Sequence, residues 1–294
     1  MRLYEELERI LRSGQVSLST DGDGNEYIGE GGLYCSHLSY PASLVLFGGG
    51  HVAQALTRIA ACCGMSSLVA DDRPEVLRKE NFPDGTRLVL TDFNEPDDDI
   101  WKVDNPYYCI FTHAHTYDSQ VLVQCCRHQS SYIGMIGSRR KIEKCFEYAR
   151  AQGISDEILA TVHSPIGLPV NAVTPAEIAV SIMAEIIGVY RKDKKLVVLD
   201  PALVRRIAQE KDAAVCRILA SGGSSPAREG AIMLVGKSWQ AGTVGGGALE
   251  ELVKHDALAA HRRRIVHYDL TEQGRTGMAC GGDVTVLITP QALS

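Results

Sequence analysis

Three short clusters in this 294-residue chain carry groups suited to holding an anion, a metal or a proton. The first is Gly48-x-Gly50-x-x-Ala53, inside the run LVLFGGGHVA. Glycine at the first position permits a tight turn, and at the second it lets a pyrophosphate approach the backbone. A small residue at the third lets helix and strand pack closely. His51, Val52 and Ala53 would then open a helix whose free N–H groups and positive dipole end favour phosphate. Asp71 and Asp72 follow about twenty residues on, where a ribose-binding carboxylate belongs. Arg73 beside them leaves NAD and NADP both open. A purely structural glycine turn is the competing reading, and the aspartates weigh against it.

The second cluster is THAHTYD, with His113, His115 and Asp118. Imidazole and carboxylate suit zinc or another divalent ion. Two histidines two residues apart lack an assured third ligand, so capping the loop or hydrogen-bonding a bound phosphate is the favoured alternative. The third cluster is Gly137, Ser138, Arg139, Arg140 and Lys141, a second anion site at a helix start unless the arginines are ordinary surface residues. The chain carries no G-x-S-x-G elbow, no HExxH and no Walker lysine. Hydride transfer needs a proton donor or acceptor and a substrate-binding domain, and beyond a strand-end histidine no such partner stands out.

The elements needed to position these clusters can be read from hydrophobic periodicity. Short apolar runs at 44–47, 66–70, 87–90, 107–112 and 131–136 predict strands, and 51–63, 117–128, 138–153 and 174–191 predict helices. Strands alternating with helices mean a Rossmann-like, doubly wound parallel α/β sheet, with all three clusters beyond the carboxyl ends of its strands. Thr174, Pro175 and Glu177 predict a capping box at the start of the last helix. The expected organisation is an N-terminal amphipathic helix and connecting segment (1–40), the Rossmann-like domain (41–191), a charged linker (192–199) and a smaller glycine-rich α/β domain (200–294). In the last, helices near 201–210 and 248–262 accompany strands at 214–220 and near the C-terminal end.

Hydrophobic content of 45% and charged content of 22% predict a soluble globular protein, and a net charge of -6 argues against nucleic acid as a partner. The basic run His261–Arg264 reads as a solvated helix face. No apolar stretch is long enough for a membrane span, so no membrane partner is expected. Nine cysteines, an odd number without a CxxC pair, predict mostly buried thiols and a cytoplasmic, reducing compartment.

GGGHVAQAL, DDRPE, THAHTYD, YIGMIGSRRK, PIGLPV and TPAEIAVSIMAEII together resemble the XdhC/CoxI family, accessory proteins of xanthine dehydrogenase and related molybdenum hydroxylases. GGSSPAREGAIML, GTVGGGALEE and GMACGGDVTV resemble that family's other module, so the likeness runs from Ser43 to Pro290. Two features depart from the usual pattern. Here the glycine-rich module follows the Rossmann-like one, and Ala227 stands where arginine usually follows the SSP motif, with Arg228 next.

The resemblance implies a maturation role: transient binding of molybdenum cofactor, protection during sulfuration, and delivery to an apo-hydroxylase of the xanthine dehydrogenase type. It further implies a homodimer and a cysteine desulfurase as a second partner. On that reading Gly48–Gly50 and Ser138–Lys141 cradle the phosphate tail. Cys280, between Ala279 and Gly281, is either a reactive thiol beside backbone N–H groups or an inert turn residue, and the two weigh evenly. The competing functions are an NAD(P)-dependent oxidoreductase of unknown substrate and, more weakly, a metal-dependent enzyme built on His113 and His115.

Overall fold

The computed structural model describes residues 2–193, 195–223, 227–270 and 282–290. The chain divides into two compact units, one made of Met1–Tyr40 with Asp193–Ser294 and the other of Pro41–Lys192.

The chain opens with α1 (Arg2–Leu11), β1 (Gln15–Thr20), β2 (Glu26–Ile28) and β3 (Tyr34–Ser39). Helix α1 is amphipathic, and Tyr4, Leu7 and Leu11 fall on one buried face.

The second unit then begins with β4 (Ser43–Phe47), α2 (His51–Cys62), β5 (Ser66–Asp71) and β6 (Arg87–Leu90). It continues through β7 (Pro106–Ile110), α3 (His115–Arg127), β8 (Tyr132–Met135), α4 (Arg139–Ala151), α5 (Asp156–Leu159) and α6 (Pro175–Tyr190). Its five strands are parallel, in the order β6-β5-β4-β7-β8. β4, β7 and β8 read as near-continuous apolar runs because both faces of the sheet are covered there, whereas the edge strand β6 keeps exposed residues. Val45, Phe47, Tyr108, Ile110 and Met135 pack with Val121 and Leu122 of α3 and with Ile142 and Cys145 of α4. The alternate residues Leu44 and Leu46 are also fully buried, and α2 packs against α6. The order reverses between β4 and β7, which is where a doubly wound sheet opens a crevice.

Helix α6 starts with the expected capping box. Thr174 accepts from the Glu177 N–H, and the Glu177 side chain accepts from the Thr174 N–H at 2.9 Å. Further along, Glu185 ties α6 to the loop after α5 by pairing with His163 and accepting from the Gly167 N–H.

The first unit resumes with β9 (Val197–Val198), α7 (Pro201–Gln209), β10 (Ala213–Gly223), β11 (Ile232–Gly236) and β12 (Gln240–Gly242). It ends with α8 (Gly247–Leu258), β13 (Arg264–Asp269) and β14 (Gly282–Pro290). An antiparallel sheet in the order β12-β11-β10-β14-β13 carries apolar residues on both faces. On one face Cys216, Ile218, Met233 and Val286 pack against Leu249 and Val253 of α8. On the other, Val215, Ile232 and Leu234 join a core with Leu7, Leu11, Leu18, Leu38, Val204 and Ile207.

Residues 1–40 are therefore more than a connecting segment, because half of the glycine-rich domain's core rests on them. The stretch read as a charged linker likewise contributes β9, which pairs in parallel with Leu38 and Ser39 of β3. A buried charge shows the same dependence. Arg217 of β10 is fully buried, donates from Nε to Glu26 at 2.8 Å and from Nη1 to Ser36 Oγ at 2.9 Å, and also bonds Thr20. All three partners belong to the N-terminal strands, whose own strand order is β2-β1-β3-β9. Burying a guanidinium costs several kcal/mol unless it is paired and hydrogen-bonded, so these strands are what make Arg217 tolerable.

Candidate strand-edge crevice

The loop from β4 into α2 holds three glycines in three different environments. Gly48 adopts φ +112°, and a Cβ there would lie 2.3 Å from the Phe111 carbonyl oxygen beyond β7. The two loops at the reversal point thus touch through backbone, which only glycine allows. A Cβ on Gly49 would press on Val76 at 2.8 Å. Gly50 is exposed, has an extended backbone, and would place a Cβ in open space. Nothing in the fold requires glycine at position 50.

Gly50 is also the N-cap of α2, with no side-chain cap and no acidic residue in the first turn. The N–H groups of His51, Val52 and Ala53 thus begin a helix without an intrahelical acceptor, beside an open surface. The dipole end of the helix adds a positive field there. His51 is exposed, Val52 is half-buried, and Ala53 is fully buried against the sheet.

The two aspartates after β5 have opposite orientations. Asp71 is fully buried and accepts from the Gly49 N–H at 2.7 Å, from Arg73 Nε at 2.9 Å and from Arg73 Nη2 at 3.0 Å. Burial pushes its pKa up, but the Arg73 guanidinium and the Gly49 N–H outweigh that and hold it below the ordinary aspartate value. Asp71 is thus committed to bracing the glycine turn and does not face a ribose. Its bond to Arg73 also compensates the charge that would otherwise attract a 2′-phosphate.

Asp72 is the member that remains partly open, with 24% of its side chain exposed and Oδ1 lying 3.5 Å from His113 Nδ1. That oxygen is buried and has no hydrogen-bond partner. Burial raises the Asp72 pKa, the His113 imidazole opposes this, and the neighbouring Asp71 carboxylate adds to the rise, leaving it above the ordinary value. Asp72 lines a cavity of about 420 Å³ together with Leu90, Thr91, Asp92 and Tyr117. Phe93 and Tyr117 stand behind His113, with ring centroids 6.5 and 5.4 Å from it.

The histidine cluster divides in the same way. His113 joins Asp71 and Asp72 as a grouping whose ligand atoms lie within 4.8 Å of one another, the one potential metal set among the described residues. An ion there would compete with Arg73 for Asp71. Asp118, expected beside the histidines as a metal ligand, points inward instead. It is fully buried, accepts from Thr112 Oγ1 at 2.6 Å and pairs with Lys141. In the first turn of α3 it turns towards Lys141 of α4. The side chain of His115 lies outside the described residues, as does Cys280.

The third cluster is anchored at the start of α4. Ser138 is the N-cap and accepts from the Lys141 N–H at 3.4 Å. Gly137 packs over the Lys141 stem, where a Cβ would lie 2.8 Å from Cδ. Arg139 and Arg140 are exposed. Lys141 is 15% exposed and committed to Asp118, so its charge is largely compensated. Sequence spacing gave no sign of Asp92, Phe93 or Tyr117 as crevice walls; their only signal was position just beyond β6 and inside THAHTYD. Of the thiols, Cys109, Cys125, Cys145 and Cys216 are buried as expected, whereas Cys62 and Cys63 at the end of α2 are exposed.

Known proteins match both units. The XdhC Rossmann domain matches residues 44–186, and the XdhC and CoxI family domain matches residues 206–269. The uncharacterized protein YqeB of Escherichia coli (strain K12) is 29% identical over 64% of this chain and 34% of its own length. A probable xanthine dehydrogenase subunit of Bacillus subtilis (strain 168) is 28% identical over 54% of this chain and 46% of its own. The chain thus spans less than half the length of either relative. A crystal structure described as a xanthine dehydrogenase from Bacillus halodurans aligns over 65% of this chain and 63% of its own, at 22% identity and a TM-score of 0.46. Among the described residues no helix is long and apolar enough to cross a membrane. With a Rossmann domain on a five-stranded parallel sheet and the companion domain following it, the chain belongs to the XdhC and CoxI family.

Proposed function

We propose that this protein is an accessory factor for a molybdenum hydroxylase of the xanthine dehydrogenase type, and that its strand-edge crevice holds the phosphate-bearing part of the molybdenum cofactor. The family, and the Bacillus subtilis relative described as a probable xanthine dehydrogenase component, support the partner class. The observation that carries the ligand class is the start of α2, where Gly50 leaves open space above a helix end that no side chain caps. A phosphate fits there, because the donors, the dipole and the clearance all favour an anion.

The protein's own part is to bind and orient. Backbone N–H groups of His51, Val52 and Ala53 would take the phosphate, while the Gly48–Phe111 contact fixes the turn. The cofactor supplies the molybdenum chemistry; a cysteine desulfurase would supply the sulfur, and a homodimer is the proposed assembly. Asp72 and His113, 3.5 Å apart, form the polar wall on the β5 side.

The test is anaerobic incubation of the full chain with molybdenum cofactor, followed by transfer to apo-hydroxylase. Stoichiometric uptake, lost in Gly50→Asp, is the expected result. Absence of uptake would overturn the proposal, and stoichiometric binding of NAD(P) with substrate turnover would favour the oxidoreductase reading of the same crevice.

A further inference from the structure

A second cavity, of about 500 Å³, lies between α3 and α4. That volume is within the range of small-molecule sites. Arg140 and Lys144 stand exposed at its rim, one helical turn apart on α4, and neither forms an ion pair with a described residue. Lys141 also lines it, but is paired with the buried Asp118. The rim therefore carries two uncompensated positive charges. The wall includes Gln120, whose Oε1 is buried without a hydrogen-bond partner. A buried carbonyl oxygen without a donor is costly, and a molecule that brings an N–H or O–H into the cavity relieves that cost. Tyr148, 40% exposed, supplies an aromatic edge.

We propose that the α3–α4 cavity is a second ligand site, which takes a small phosphate monoester. Its dianion sits between Arg140 and Lys144, and an N–H or O–H of its organic part donates to Gln120 Oε1. The charge count selects a dianion: two cations face the opening, no carboxylate lines it among the described residues, and Asp118 is already spent on Lys141. The unsatisfied acceptor selects an organic part with a donor, so inorganic phosphate alone leaves Gln120 as it is. The site is independent of the crevice at Gly48–Gly50, whose donors belong to α2.

Isothermal titration of the full chain at low salt, with AMP, ribose 5-phosphate, adenosine and inorganic phosphate as probes, tests this. At least one monoester is expected to bind with unit stoichiometry, and at least tenfold more tightly than phosphate or adenosine. Arg140→Ala with Lys144→Ala should weaken it tenfold or more at unchanged Tm, since both residues are exposed. Gln120→Leu should weaken the monoester while raising the Tm of the unliganded protein, a combination a purely structural glutamine would not give. No binding of either monoester overturns the proposal. So does binding that survives the double variant and disappears in Gly50→Asp, which would place the ligand in the crevice.

Discussion

Replacing Arg217 by methionine removes a cation whose partners all come from the first forty residues. Glu26 would be left 3% exposed and charged, with Thr20 and Ser36 losing their donor. Breaking a buried ion pair on one side costs about 3–5 kcal/mol, against a typical total stability of about 5–15 kcal/mol. With a urea m-value of about 2 kcal/mol/M, the midpoint should fall by about 1.5–2.5 M. The protein has two tryptophans, one in each unit: Trp101 in the parallel-sheet unit and Trp239 in the other. A Trp101→Phe background therefore follows the affected unit by fluorescence. In that background Arg217→Met should unfold early, and adding Glu26→Leu should recover most of the loss by removing the orphaned charge. A midpoint shift under about 0.5 M, or a double variant no more stable than the single one, would refute the claim that the N-terminal strands neutralise the buried arginine.

Other outcomes follow from the crevice. Gly48→Ala should cost about 2–5 kcal/mol through the left-handed backbone and the clash with Phe111, whereas Gly50→Ala should change stability by less than about 1 kcal/mol; urea titration of both variants separates them. Asp71 has a lowered pKa, so it adds stability above its ordinary value of about 3.9 that is lost as pH falls through the lowered one. Asp71→Asn should accordingly be less stable at neutral pH and show a flatter acid limb below about pH 4, measured by thermal melts across pH. Because Arg73 is held by Asp71 and Asp72 is the open carboxylate, NAD should bind the crevice at least about tenfold more tightly than NADP, which differs only by the 2′-phosphate; equal affinities by calorimetry would contradict that assignment.

The parallel sheet was legible because each strand is a short apolar run, buried on both faces except at the edge strand β6, and its ends fell within two residues of the structure at every strand. The α6 capping box was legible because it is local, spanning four residues. Strands β1 to β3 were not, because what stabilises them is remote: Glu26 meets Arg217 across 191 positions, and Val16, Leu18 and Leu38 join a core completed by α7 and β11. For the site, position at the strand ends was readable and orientation was not. Asp71 and Asp72 are adjacent, and only the Gly49 N–H and Arg73 decide which turns inward. Asp118 sits three residues beyond His115, yet the helix that begins there carries it to Lys141.

The parallel-sheet unit is spliced into the middle of the other unit's chain, between Tyr40 and Asp193. During synthesis α1 and β1–β3 leave the ribosome well before β10, which holds Arg217 and is complete only at Gly223. At roughly 5–20 residues per second the delay is on the order of 10–40 s. Throughout it Leu7, Leu11, Leu18 and Leu38 have no second half to pack against, and Glu26 has no cation. The parallel sheet, contiguous in sequence, can close in that interval. The core that the N-terminal strands share with α7, β10 and β11 can therefore close only after the parallel-sheet unit has been made.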